Sequence, residues 1–159
     1  MAVHAEIDLP DPSATRRMGA ALGLGLRPGD AVLLEGRLGS GKSTLAEAAL
    51  AVLRGGEGAE AAPPGEDEAV RRYATARGLV LHADLYRLRS PEAAAALGLA
   101  DAPAEAIRLI EWPERLGPDR PADALTLRLA FGYETDSRRL ALSAADAARW
   151  APLVETLRA

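Results

Sequence analysis

The chain has 159 residues, enough for one domain, and its 48% apolar share supports a core that must be mostly Ala, Leu and Val because aromatics are only 4%. It has no cysteine, which excludes disulfides and thiolate metal sites, and a net charge of −4, which argues against strong nucleic-acid binding by the chain alone. No apolar run approaches the roughly 20 residues of a membrane span, and no basic segment leads into an apolar one at the N-terminus, so a cytoplasmic protein is expected.

His4 to Leu9 reads as a first strand. Asp11-Pro12 reads as an N-cap with proline at the first helical position, followed by Ala14, Met18, Ala21 and Leu22 at helical spacing. Gly23 and Gly25 are expected to weaken and end that helix. Ala31 to Glu35 is a short apolar run, as in a strand buried on both faces. A glycine-rich loop follows directly, then a helix whose face is Leu45, Ala48, Ala49, Val52 and Leu53, stopped by Gly55-Gly56. Residues 55–69 are Gly-, Pro- and Glu-rich without periodicity, a flexible insertion or a degenerate switch segment within a single domain spanning 1–159.

Val70 to Tyr73 and Leu79 to His82 read as strands, the second running to Asp84. Ser90-Pro91-Glu92 reads as a helix start, with Gly98 near its end. Ile107 to Ile110 is a further strand ending at Glu111. Leu125 to Phe131 and Arg138 to Leu142 suggest an antiparallel pair. Ser143, with Asp146 three residues on, is expected to cap a last helix whose apolar face includes Trp150, Leu153 and Leu157. Alternating strands and helices predict an α/β layered fold, mostly parallel, with a C-terminal antiparallel hairpin.

The chemistry sits in Gly36-Arg-Leu-Gly-Ser-Gly-Lys42-Ser43, a match to Gly, four residues, Gly-Lys-Ser/Thr. Chance supplies on the order of 0.005 such matches in a chain of this length. The glycines allow a tight turn that points N–H groups into one concavity, and the following helix presents its positive end there. Lys42 adds a full charge for the β- and γ-phosphates, and the Ser43 hydroxyl suits Mg²⁺. The expected ligand is a nucleoside triphosphate, ATP with Mg²⁺.

Phosphoryl transfer also needs acids to hold the metal and orient a nucleophile. Asp84 and Glu111 each end an apolar strand, the edge at which ligands bind in open α/β sheets. Glu35 also ends a strand but lies before the loop, and reads as structural. His82 reads as a packed strand residue, and His4 as a surface residue. Arg87 reads equally well as a phosphate contact and as a solvated charge. Trp112, next to Glu111, is placed to pack near the nucleotide.

Three stretches together resemble the TsaE family: Leu34-Glu-Gly-Arg-Leu-Gly-Ser-Gly-Lys-Ser-Thr-Leu45, His82-Ala-Asp-Leu-Tyr-Arg-Leu88 and Ile110-Glu-Trp-Pro-Glu114. The resemblance runs from about Asp8 to Ser143. It implies a P-loop α/β/α sandwich that hydrolyses ATP and acts with TsaD and TsaB in making threonylcarbamoyladenosine in tRNA. By motif position, Gly36, Leu38, Gly39, Ser40 and Gly41 form the phosphate loop. Lys42 binds phosphate, Ser43 ligates Mg²⁺ and Thr44 adjoins it. Asp84 and Glu111 complete the metal and water site, with Glu111 the favoured ligand. Thr15 and Arg138 fall where the family contacts nucleotide and carries a hairpin arginine.

The chain departs from the family at Pro64-Gly-Glu-Asp67, where the family has Ser-Pro-Thr and an aromatic residue. Here no hydroxyl remains, and two acids are added near an anionic ligand. A nucleotide-dependent interaction module with little turnover is therefore a second expectation. A small-molecule kinase is a third, disfavoured because the segment after Leu88 is Ala-rich with few arginines for a lid.

Overall fold

The structure is a computed structural model that describes residues 2–55, 69–99 and 101–159. The expected insertion and the departure at 64–67 lie outside the described residues, apart from Gly55 and Ala69 at its edges. The strands are β1 (Val3–Leu9), β2 (Ala31–Gly36), β3 (Val70–Thr75), β4 (Gly78–Asp84), β5 (Ile107–Glu111), β6 (Leu125–Phe131) and β7 (Arg138–Ala144). The helices are α1 (Pro12–Gly25), α2 (Lys42–Leu53), α3 (Pro91–Ala95) and α4 (Ala147–Arg158), with a 3₁₀ segment over Pro113–Asp119.

One sheet takes all seven strands in the order β1-β7-β6-β2-β5-β4-β3. The central four, β6-β2-β5-β4, are parallel. The flanks are antiparallel, through the β6–β7 and β3–β4 hairpins and the pairing of β1 with β7. The sheet is therefore mixed, which corrects the mostly parallel sheet expected. The strand over Val70–Thr75 returns on β4 as a tight hairpin. β1 joins at the far edge, and its direction is set by pairing with β7, from Val3 opposite Ala144 to Leu9 opposite Arg138.

Side chains alternate across the sheet with the strand period of two. Val32 and Leu34 enter the core under α1, α2 and α4 together with Leu22, Leu45 and Trp150. Ala31 and Leu33 enter a smaller core on the other face with Leu81, Ile110, Ala94 of α3 and Leu116. In the same alternation His82 and Glu111 follow Val80 and Leu109 toward the α2 side. Glu35 goes the opposite way, where it meets Arg128, its register partner on β6, and Arg120.

Helix starts follow their caps. Asp11 Oδ1 accepts the Ala14 N–H at 2.8 Å, and Ser90 Oγ accepts the Ala93 N–H at 3.1 Å. The helix begun at Ser90 is short and stops at Ala95, before Gly98. α4 is capped by Asp146, whose Oδ1 accepts the Arg149 N–H at 3.3 Å. Ser143 is not the cap: it sits within β7, opposite His4 on one side and Thr126 on the other. Strand pairing on both flanks outweighs a local capping preference there. Gly23 lies inside α1 and does not end it. A Cβ at Gly23 would stand 2.7 Å from the Ala49 carbonyl oxygen, and one at Gly19 would stand 2.3 Å from that of Leu45. These glycines let α1 and α2 pack backbone to backbone.

Candidate nucleotide site

The loop between β2 and α2 turns on glycines. Gly41, the residue before α2, has φ 106°, a conformation that L side chains rarely adopt. Gly36 has φ 147°, and a Cβ there would lie 2.5 Å from Ser40 Oγ and 2.7 Å from the Leu129 carbonyl. The loop faces a cavity of about 390 Å³ at the carboxyl ends of the parallel strands.

Leu38, Gly39, Gly41, Lys42, Ser43 and Thr44 line that cavity, as do Thr15 from α1, Asp84, Glu111, Trp112 and Arg138. Gly36 and Ser40, at the start and middle of the loop, do not form the wall of this cavity. Ser40 is buried, its N–H donates to the Arg37 carbonyl at 3.1 Å, and its carbonyl accepts from Arg138 Nε at 3.0 Å. Arg138 Nη2 also donates to the Gly39 carbonyl at 3.2 Å. The hairpin arginine thus ties the loop to β7.

Lys42, the first residue of α2, is buried, and its Nζ donates to the carbonyls of Gly36 and Arg37, the latter at 3.0 Å. Burial pulls its pKa below the ordinary lysine value; the charges of Glu111, Glu114 and Asp84 oppose that pull without cancelling it. Trp112 covers the ammonium, 4.1 Å from ring centroid to Nζ, and contacts Tyr86 at 4.9 Å between centroids. Trp112 is the one non-glycine residue with positive φ, at 61°, among the described residues.

Asp84 and Glu111 are direct register partners on β4 and β5, so both carboxylates emerge at one level beside the loop. Asp84 is exposed, and its Oδ1 accepts the Tyr86 N–H at 3.1 Å. Glu111 is buried. Ser43 Oγ donates to its Oε1 at 2.9 Å, and His82 Nε2 lies 2.7 Å from its Oε2. A carboxylate oxygen only accepts, so the ring nitrogen donates. His82 is packed, as its strand position implied, but it is also bonded to the key acid. Arg87 lines a second cavity of about 530 Å³ with His82 and Arg71, on the far side of the Ser43–Glu111 pair.

Among the described residues no group of three or more His, Asp or Glu side chains gathers as a metal site. The donor set fits a magnesium ion carried with a nucleotide, because Mg²⁺ is typically held by one or two carboxylates plus substrate phosphates. Ser43 and Glu111 supply two hard oxygen donors already in contact.

The sequence did not single out Tyr86, Pro12 or Asp136, which also line the main cavity. Tyr86 stood within the His82–Leu88 stretch, two residues past Asp84, and Pro12 lies one helical turn before Thr15. Nothing local marks Asp136.

Strand, glycine loop, helix N-terminus, buried lysine and paired carboxylates define a P-loop-like nucleotide-binding α/β protein. A family model for the threonylcarbamoyl adenosine biosynthesis protein TsaE matches residues 9–140. The tRNA threonylcarbamoyladenosine biosynthesis protein TsaE of Rickettsia bellii (strain RML369-C) is 31% identical over 112 residues, 70% of this chain and 76% of the relative. That of Nostoc sp. (strain PCC 7120) is 33% identical over 138 residues, 81% of this chain and 80% of the relative. The chain belongs to the TsaE family, whose role is in tRNA threonylcarbamoyladenosine biosynthesis. A crystal structure of Bacillus subtilus YdiB superposes with a TM-score of 0.75 over 99% of this chain and 95% of that one, at 22% identity, a likeness of fold. No helix among the described residues is long and apolar enough to cross a membrane.

Proposed function

We propose that the chain is a Mg²⁺-dependent, ATP-hydrolysing subunit, one cytoplasmic domain that acts with TsaD and TsaB in making threonylcarbamoyladenosine in tRNA. The observation that supports it most is the Ser43 Oγ–Glu111 Oε1 contact of 2.9 Å beside the glycine loop. The loop N–H groups and the α2 N-terminus bind the phosphates. Lys42 exchanges its bonds to loop carbonyls for phosphate oxygens. Ser43 and Glu111 hold Mg²⁺, with Asp84 alongside, and the bound ion supplies counter-charge to the phosphates. Asp84 and Glu111 orient the attacking water, while Thr15, Trp112 and Arg138 flank the nucleotide.

Phosphate release from ATP tests this, with the chain alone and with TsaD and TsaB, in Mg²⁺ and in EDTA. Metal-dependent release that rises with both partners is expected. The second reading is an interaction module with little turnover, motivated by the absence of a hydroxyl in Pro64–Asp67. ATP binding with no release under any combination would select it. Phosphorylation of a metabolite without protein partners would instead select a kinase.

A further inference from the structure

Glu111 is almost fully buried, yet no lysine or arginine pairs with its carboxylate at hydrogen-bond distance among the described residues. Among the described residues it has two donors, one per oxygen. Ser43 Oγ holds Oε1 at 2.9 Å, and His82 Nε2 holds Oε2 at 2.7 Å. A carboxylate with one oxygen pinned cannot rotate the other away from the Ser43 hydroxyl.

His82 is an expensive choice for a packing residue. It is 6% exposed in the middle of an apolar strand, between Leu81 and Ala83. Its second nitrogen, Nδ1, is buried with no hydrogen-bond partner among the described residues. A buried imidazole left half satisfied is disfavoured unless its other half does something an apolar side chain cannot. That other half touches the acid beside the phosphate loop. The backbone enforces the geometry. His82 pairs with Leu109, two positions before Glu111 on the neighbouring parallel strand, so both side chains lie on the face that α2 covers. His82 and Glu111 also both line the second cavity, which places their contact at the wall between the two chambers.

We propose that His82 is a positioning residue: its Nε2–H fixes one oxygen of Glu111 and thereby holds the other at the Ser43 hydroxyl, in the arrangement that receives Mg²⁺ with a nucleotide. The inference rests on the nucleotide–Mg²⁺ reading of the site. Partners of this kind, one step removed from the metal, are worth about 10–100-fold in metal affinity or activity.

Two variants of the full chain separate the role of Nε2 from general packing. His82→Gln carries an amide N–H to about the place of Nε2. His82→Asn carries it only to about the place of Nδ1 and leaves Glu111 Oε2 without its donor. ADP is bound to each protein, and Mg²⁺ is titrated while the fluorescence of Trp112, which lines the cavity, is followed. Nucleotide affinity in EDTA and cooperative melting are measured in parallel. For Asn the half-saturating Mg²⁺ should rise about 10–100-fold, with nucleotide affinity in EDTA unchanged; Gln should restore most of the difference. Equal Mg²⁺ response in Asn, Gln and the parent overturns the proposal. So does a loss common to both variants that extends to nucleotide affinity in EDTA, which marks a structural histidine. If the parent binds nucleotide with no Mg²⁺ dependence, the underlying reading fails and this inference with it. If the parent shows the dependence and Asn does not alter it, only the role of His82 falls.

Discussion

The Lys42 ammonium lies 4.1 Å from the centroid of the Trp112 ring while donating to the carbonyls of Gly36 and Arg37. The charge proposed here to bind phosphate is held on its own loop and roofed by an aromatic face. Lys42→Ala removes a charge-assisted contact worth about 1.5–3 kcal/mol, or about 10–100-fold in affinity. Calorimetry with ATP reads this, and affinity unchanged within about twofold contradicts the site. Burial also lowers the pKa of Lys42 below its ordinary 10.5. The charged form is lost as pH rises through that lowered value, so ATP affinity should weaken at a lower pH than an exposed lysine would give.

Trp112 holds a left-handed backbone, φ 61° and ψ 52°, at the start of the 3₁₀ segment. That conformation costs a non-glycine residue roughly 1–2 kcal/mol. The cost is sustained by a tie across the sheet: the Trp112 N–H donates to the Leu34 carbonyl at 3.2 Å, which fastens the end of β5 to β2. Trp112→Ala and Trp112→Gly lose the same ring, so their difference isolates the backbone. The Gly variant should be the more stable by about 1 kcal/mol in urea denaturation. An Ala variant equal or superior to Gly would show that the left-handed turn is not retained.

Glu35 is buried on the opposite face of the sheet and bonded to two arginines, with Arg128 Nη2 at 2.7 Å. Burial pushes its pKa up, but hydrogen bonds and charge from Arg120 and Arg128 outweigh that and hold it below its ordinary 4.5. A carboxylate with a lowered folded pKa contributes stability that is full above the unfolded value and is lost as pH falls through the folded one. Glu35→Gln should therefore cost stability at neutral pH and flatten the acid limb below about 4.5. The neutral-pH loss should be about 1–2 kcal/mol, because Arg128 is largely solvated. Denaturation midpoints at neutral and acid pH check both parts. A mutant that loses as much stability to acid as the parent would contradict the linkage.

That the glycine loop and the two acids meet at one cavity was legible because each carries a local signature: a glycine-lysine spacing in one case, an acid closing an apolar strand in the other. What could not be read was set at long range. The antiparallel β6–β7 hairpin was read, but no local signal places β1 beside β7 or pairs β3 antiparallel with β4, so the extent of the antiparallel flanks was not. Ser143 has the chemistry of a cap, but neighbours on both sides claim it for the sheet. His82 looked like one more packed residue because its partner is 29 positions away. A tryptophan with positive φ contradicts every local preference and is tied across the sheet by the Leu34 carbonyl.

The approach of α1 to α2 is the feature most exposed to a single methyl group. Gly19 sits mid-helix, where Ala ordinarily gains about 1 kcal/mol over Gly. Here an added Cβ would lie 2.3 Å from the Leu45 carbonyl oxygen and 2.8 Å from the Ala48 Cβ. The first is backbone and cannot rotate away, so relief requires the helices to part. Gly19→Ala should consequently destabilise the fold by about 1–3 kcal/mol, against the helical propensity. Its effect reaches the site, because α2 begins at Lys42 and Ser43, and Thr15, one turn before Gly19, packs beside Gly41. Nucleotide affinity should fall along with stability. Chemical denaturation and ATP titration of the same variant check the pair of effects, and a stabilised Gly19→Ala would mean that the two helices do not pack this closely.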